Sequence, residues 1–109
     1  IAGPKAEVRM ASGKNPSKIS PTDSRAFNAI REICKEMDPK AIVAPYLVMG
    51  GTDARQYEDV CDNIYRYSPF LMNTGLLLTT HGTNERIPID SLKDGVVFFK
   101  KYIKALTKD

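Results

Sequence analysis

The sequence has one histidine, two cysteines and no long apolar run. Its 109 residues fit one domain with one modest core. Cys34 and Cys61 have neither the number nor the spacing of a disulfide framework or a zinc ribbon, so we expect two small buried residues. No apolar stretch approaches the roughly 20 residues of a membrane helix, and no signal-peptide pattern opens the chain. We therefore expect no membrane partner.

Strong charge of one sign is also missing. The net charge is +3, and lysine and arginine are spread along the chain. One local group lies on the last predicted helix, at residues 100–108. A surface that follows nucleic-acid phosphates needs more positive charge than this, so we expect no nucleic-acid partner. We favour a cytoplasmic location. Because the chain begins at Ile1 without a methionine and is expected to be a fragment, the missing signal-peptide pattern carries little weight.

The first half of the sequence predicts a strand, a linker and a helix. Residues 6–10 alternate in polarity, and residues 12–21 are rich in Gly, Pro and Ser. Apolar residues then recur at helical spacing from Phe27 to Met37, with Thr22 or Asp23 as the cap. Asp38-Pro39 ends this helix.

The second half predicts buried strands between further helices. Residues 42–49 form a nearly continuous apolar run, which favours a strand, although Pro45 requires an edge position or a bulge. Residues 54–61 fit a short helix capped by Asp53. Residues 65–70 and 76–80 are predicted to be extended.

The last predicted element is an amphipathic helix that starts at Asp90 or Ser91. Ser91 and Asp94 resemble a capping box. Its predicted apolar stripe consists of Leu92, Val96, Phe99, Ile103 and Leu106. Helices that alternate with apolar strands indicate the α/β class. A sheet of about three or four strands would leave an exposed edge, so we expect self-association into a homo-oligomer.

GGTDAR at residues 50–55 is the first candidate site. It lies where a predicted strand turns into a helix, and the ends of strands bind ligands in α/β folds. Gly50 and Gly51 would let a ligand approach the backbone closely, and Arg55 could bind a carboxylate. The simpler interpretation is a tight turn with Asp53 as a helix cap and Arg55 in solvent.

HGTNER at residues 81–86 is the second candidate site. Its histidine, His81, follows an apolar stretch, and Gly82 lets the chain turn away. A neutral imidazole can bind zinc or transfer protons near neutral pH. One histidine does not make a zinc site, however, and a hydrogen-bonded structural role is the simpler interpretation.

Three motifs in this order are similar to a known family: GGTDAR at 50–55, Ser68-Pro69, and HGTNER at 81–86. They resemble the C-terminal part of the catalytic domain in the aminoacylase and carboxypeptidase family of di-zinc metallopeptidases. The resemblance implies part of a three-layer α/β/α domain with an incomplete sheet and flanking helices. It also implies that residues 1–20 are a strand and linker returning from a lid domain, and that residues 21–109 end the catalytic domain.

The resemblance assigns roles to single positions. His81 matches the family's last zinc ligand, in an intact site that holds two zinc ions. Gly51, Thr52 and Arg55 match positions that face the substrate, with Arg55 as the group that binds its carboxylate. Asn84 and Glu85 are assigned to orienting the His81 loop.

Two assignments complete the set that the resemblance implies. Asp53 is given a structural role, which a helix cap explains equally well. The family's general base and its other metal ligands precede the lid, so no catalytic residue is assigned to this chain.

The resemblance implies a parent hydrolase that cleaves peptide or N-acyl amino acid amide bonds next to a free carboxylate. We expect the isolated chain to be inactive, because one histidine supplies one ligand where at least three are needed. The alternative is a small noncatalytic α/β module that self-associates through its exposed sheet edge. Clustering of His81 with the GGTDAR turn favours the hydrolase, and a buried His81 away from that turn favours the module.

Overall fold

The computed structural model describes residues 3–13 and 15–108, and helices are its regular structure. In chain order they are α1 (Arg25–Met37), a 3-10 helix (Asp53–Tyr57), α2 (Thr74–Leu77) and α3 (Ile89–Thr107). No residue of the two described ranges belongs to a β-strand. The predicted α/β class with an incomplete sheet is therefore wrong for the described chain.

The apolar segment at residues 42–49 shows why the sheet is missing. A strand is held by hydrogen bonds to a neighbouring strand, and within the described ranges this segment has no backbone hydrogen bond. Ile42 is 93% exposed and Leu47 is 74% exposed. The predicted strands at 6–10 and 65–70 are absent as well. The sheet-edge alternative loses its premise with them.

Helix α1 forms as predicted, with a different cap. Ser24, rather than Thr22 or Asp23, is the N-cap residue, and its Oγ accepts a hydrogen bond from the Phe27 N–H at 3.1 Å. That bond satisfies one of the free N–H groups of the first turn. The helix ends directly before Asp38-Pro39, as the sequence predicts.

Helix α3 begins earlier than predicted. Its N-cap residue is Pro88, which makes no side-chain capping bond, and its first residue is Ile89. The predicted capping box of Ser91 and Asp94 is wrong, because Ser91 is buried inside the helix. Its Oγ donates a hydrogen bond to the Leu71 carbonyl oxygen at 3.0 Å instead.

The buried face of α3 is shifted from the predicted stripe. Ser91, Gly95 and Phe98 are buried. A Cβ at Gly95 would lie 2.2 Å from Cε1 of Phe70, so only glycine admits that ring. Four of the predicted stripe residues remain between 42% and 63% exposed: Leu92, Val96, Phe99 and Ile103. Small residues therefore mark the packed face, which a search for large apolar residues overlooks.

A small core lies between α1 and α3. It consists of Ile30, Ile33 and Phe98, and the side chain of Phe98 is 1% exposed. The Tyr67 ring packs against the Phe98 ring with centroids 4.9 Å apart. The radius of gyration is 18.2 Å, against about 13 Å for a compact domain of this length. The chain is therefore less compact than a typical domain of its length.

Irregular segments surround this helix pair. The predicted linker at 12–21 contacts the segment between the two candidate sites, because Ser20 Oγ donates to the Ile64 carbonyl oxygen at 2.8 Å. Residues 1, 2, 14 and 109, which fall in the predicted linker and domain boundaries, lie outside the described residues. The division at residue 20 stays a prediction.

The cysteines are less buried than predicted. Cys34 is half-buried beside the core, and Cys61 is exposed. Cys34 Sγ lies 3.0 Å from the Tyr67 hydroxyl oxygen, at hydrogen-bond distance. Within the described ranges, none of the helices combines the length and the apolar character needed to cross a membrane.

Candidate functional site

Thr52 organises the GGTDAR segment. It is the N-cap residue of the 3-10 helix, and its Oγ1 accepts a hydrogen bond from the Ala54 N–H at 3.2 Å. Asp53 is the first residue of that helix and is exposed, so its predicted role as the cap is wrong. Arg66 Nε donates a second hydrogen bond to Thr52 Oγ1 at 3.1 Å. Both acceptor positions of the hydroxyl are thus used, and its O–H remains free to donate.

Arg55 lines a cleft of about 780 Å³. The cleft lies between the apolar segment 42–49, residues 64–68 and α1, and it also includes Gly50 and Gly51. In the described part of the chain, the half-buried Arg55 side chain has no hydrogen-bond or ion-pair partner. Its planar fork of donors is therefore available to a carboxylate.

Gly50 and Gly51 are not required by the backbone. Neither has a positive φ, and a Cβ at either position would meet no atom within 4 Å. Packing in the described structure therefore gives no reason for glycine here. Space beside the backbone is what a closely approaching ligand would use.

His81 lies in a tight loop after α2. The predicted strand at 76–80 is wrong, because α2 ends at Leu77 and turns follow. His81 has a left-handed backbone with φ 63°, which is uncommon for a residue other than glycine. The Gly82 N–H donates to the Thr79 carbonyl oxygen at 2.9 Å. A Cβ at Gly82 would lie 3.2 Å from that oxygen, so the turn favours glycine.

Glu85 closes the His81 loop. The His81 backbone N–H donates to Glu85 Oε2 at 3.0 Å. Asn84 has the second left-handed backbone, with φ 67°, and its carbonyl oxygen accepts from Arg86 Nη1 at 3.0 Å. His81 is exposed, and neither of its ring nitrogens has a hydrogen-bond partner among the described residues. The imidazole is therefore presented to its surroundings by a locally closed loop.

The described residues do not form a metal site by themselves. Across 3–13 and 15–108, no three His, Cys, Asp or Glu side chains gather into a group that could hold a metal ion. An exposed imidazole with unpartnered nitrogens suits zinc as one ligand. His81 therefore fits a metal as one contributor, and further ligands would have to come from elsewhere.

The two candidate segments are not joined in the structure. Within the part of the chain that the structure describes, no hydrogen bond or ion pair links His81 to Thr52 or Arg55. The cleft beside Arg55 does not include His81 among its lining residues. The contacts of the described residues therefore do not join His81 to the GGTDAR turn, and His81 is exposed rather than buried as the noncatalytic alternative requires.

Comparison with known proteins decides the family. The sequence model of peptidase family M20/M25/M40 matches residues 4–105. This chain belongs to peptidase family M20/M25/M40. The predicted membership of a metallopeptidase family with carboxypeptidase and aminoacylase members is confirmed, and M20 peptidases are generally metal-dependent. No solved structure matches the chain.

Three relatives show how much of a known protein this M20/M25/M40 chain matches. Probable carboxypeptidase S-like 2 of Dictyostelium discoideum is 32% identical over 93 residues, which cover 85% of the chain and 18% of the relative. N-fatty-acyl-amino acid synthase/hydrolase PM20D1 of Mus musculus is 25% identical over 107 residues, or 95% of the chain and 21% of the relative. Carboxypeptidase S of Saccharomyces cerevisiae is 23% identical over 96 residues, or 81% and 17%. The chain spans about a fifth of the length of the curated relatives it matches.

Arg66 is the polar residue of the M20/M25/M40 chain that motif analysis missed. It holds Thr52 Oγ1, lines the same cleft as Arg55, and donates to Ser17 Oγ at 3.3 Å. A signal exists in the sequence, because Arg66 is the charged residue between Tyr65 and Tyr67 in a segment predicted to be extended. Alternation in an extended segment would separate its side chain from the two rings.

Proposed function

We propose that this chain contributes one metal ligand and a carboxylate-binding surface to an M20/M25/M40 amidohydrolase. The proposed substrates are peptides or N-acyl amino acids cleaved next to a free carboxylate. The observation that carries the proposal is the exposed His81 in its closed loop, with both ring nitrogens unpartnered among the described residues. No catalytic base is assigned to this chain.

His81 is proposed as a zinc ligand. A neutral imidazole binds through one ring nitrogen, and its loop presents the ring without an internal competitor. Bound zinc supplies Lewis acidity toward an amide carbonyl. The chain's own contribution is to place the imidazole, and Asn84 and Glu85 shape the loop that does so.

Arg55 and Thr52 are proposed to bind the substrate. The unpartnered guanidinium of Arg55 can hold a carboxylate with two parallel hydrogen bonds. The free O–H of Thr52 can donate one more, while Arg66 and Ala54 fix its oxygen. Gly51 leaves space for the ligand beside the backbone. These residues orient a substrate by its charged end and need no metal to do so.

The names of the relatives support this substrate class. Two of them are named carboxypeptidases, and a third is named an N-fatty-acyl-amino acid synthase/hydrolase. The substrates in both names carry an amide bond next to a free carboxylate. The isolated chain is proposed to be inactive, because it offers one metal ligand where a zinc site needs three or four.

A chimera tests the proposed function. Residues 4–105 replace the matched segment of the Dictyostelium carboxypeptidase S-like protein, and hydrolysis of an N-acyl amino acid is compared with that of its methyl ester. We expect Arg55→Ala to raise KM for the free acid on the order of tenfold to a hundredfold. We expect the same change to leave the ester nearly unaffected.

The matched control is Gln56→Ala, an exposed neighbour in the same 3-10 helix. It should change neither substrate. Equal effects of Arg55→Ala on acid and ester would contradict the proposed carboxylate contact. A folded chimera in which His81→Ala retains full hydrolysis would contradict the proposed ligand.

A further inference from the structure

We propose that Glu85 is a positioning residue that fixes His81 through the main chain rather than through the imidazole ring. The inference rests on the proposed function of His81 and names how that site is preorganised. It is carried by one contact, the hydrogen bond of 3.0 Å from the His81 backbone N–H to Glu85 Oε2.

The backbone of His81 needs such a restraint. A left-handed φ of 63° is disfavoured for a side chain with a Cβ, so the loop must hold this residue in place. The Glu85 carboxylate accepts the His81 N–H and so restrains the backbone dihedrals at this residue.

The usual route of orientation is not used here. Metal-binding histidines are commonly oriented by a carboxylate or carbonyl that accepts the second ring N–H. No such partner reaches the His81 ring among the described residues, and the carboxylate of Glu85 is engaged by the main chain instead. Orientation of the ring therefore depends on the backbone that carries it.

The rest of the loop is arranged to hold Glu85 within reach. Gly82 turns the chain with its N–H on the Thr79 carbonyl oxygen at 2.9 Å, and Asn84 turns it again with φ 67°. These two turns return residue 85 to residue 81. The carboxylate thus closes a ring of five residues that contains the proposed ligand.

Two glutamate variants separate hydrogen bonding from charge. Glu85→Gln retains an oxygen that accepts the His81 N–H, whereas Glu85→Ala removes it. In the chain itself, amide hydrogen exchange followed by NMR should speed up at His81 on the order of tenfold in the alanine variant. The glutamine variant should exchange nearly as the wild type. Thr83→Ala, in the same loop, is the control and should leave amide exchange at His81 unchanged.

Metal affinity in the chimera is the second measurement. Competition with a chromophoric chelator for zinc should show a loss of about tenfold to a hundredfold in Glu85→Ala and a loss of less than about threefold in Glu85→Gln. A loss in Glu85→Ala with recovery in Glu85→Gln supports the inference. If Glu85→Ala leaves amide exchange at His81 unchanged, the role of Glu85 is overturned. The same holds if Glu85→Ala leaves the zinc affinity unchanged while His81→Ala lowers it. Affinity that His81→Ala does not lower overturns the proposed function instead.

Discussion

At the residue scale, Tyr67 links the core to the cleft beside Arg55, because it packs on Phe98 and also lines that cleft. Burial raises the pKa of its hydroxyl above the ordinary value, and the hydrogen bond with Cys34 raises it further. Burial also raises the pKa of the neighbouring core residue Tyr102. Both shifts reflect the packing around Phe98. They describe stability rather than chemistry.

The Tyr67 shift predicts alkaline destabilisation. Because the folded state favours the neutral phenol, the stability that Tyr67 contributes is complete below its unfolded pKa of about 10 and is lost as pH rises above that value. The urea midpoint should therefore fall between about pH 9 and about pH 11, and Tyr67→Phe should flatten that fall. Tyr46→Phe, which changes an exposed tyrosine, should leave it unchanged. Parallel curves for wild type and Tyr67→Phe would argue against a raised pKa of the Tyr67 phenol.

The sequence motifs were sufficient to predict the family, but the geometry of the residues within them was not predictable. The order of GGTDAR, Ser68-Pro69 and HGTNER was sufficient to identify the family, which the match over residues 4–105 confirms. The cap at Thr52 instead of Asp53 was not predictable, because both side chains can accept from a helix N-terminus. Neither the left-handed backbone of His81 nor its hydrogen bond to Glu85 is specified by residue spacing. These roles remain predictions until they are measured.

At the element scale, the two long helices differ in how well the sequence predicts them. Helix α1 was predictable because its apolar residues repeat at helical spacing and Asp38-Pro39 ends it. Helix α3 was predicted as a helix with the wrong face buried. Gly95 admits the Phe70 ring, and Ser91 bonds to the Leu71 carbonyl oxygen. The two contacts join residues 25 and 20 positions apart, beyond the reach of a helical pattern.

Gly95 is the position that tests this packing. Gly95→Ala gains helix propensity of about 1 kcal/mol but places a Cβ 2.2 Å from Cε1 of Phe70. We expect a net loss of about 1 kcal/mol in the free energy of unfolding, measured with urea, because the displaced ring loses its packing. Gly3→Ala, where a Cβ meets no atom within 4 Å, is the control. A stabilised Gly95→Ala would show that Phe70 does not pack on this face.

At the scale of the whole molecule, the main departure from the predicted fold is the exposed apolar segment. Residues 42–49 were predicted to be a buried strand from their composition, yet strand formation requires partners that the described residues do not supply. A local pattern indicates a tendency to be extended. It does not supply the neighbour that pairs with it.

Exposed apolar surface predicts self-association. Light scattering of the chain should give a mass above that of a monomer, increasing with concentration, because Ile42 and Leu47 are largely exposed. The double variant Ile42→Lys/Leu47→Lys should restore a monomer. A double variant of exposed polar residues, Ser12→Lys/Thr83→Lys, is matched in charge and should not. A wild-type chain that stays monomeric at high concentration would contradict this prediction.

The most direct test of His81 as a metal ligand of an M20/M25/M40 hydrolase is the zinc content of the chimera. Purified chimera with His81 and its His81→Ala variant are dialysed together and analysed for zinc per protein molecule, with Thr83→Ala as the loop control. We expect a loss of about one zinc per molecule in His81→Ala alone, since removing one of three or four ligands leaves a weak site. Equal zinc content in all three folded proteins would contradict it.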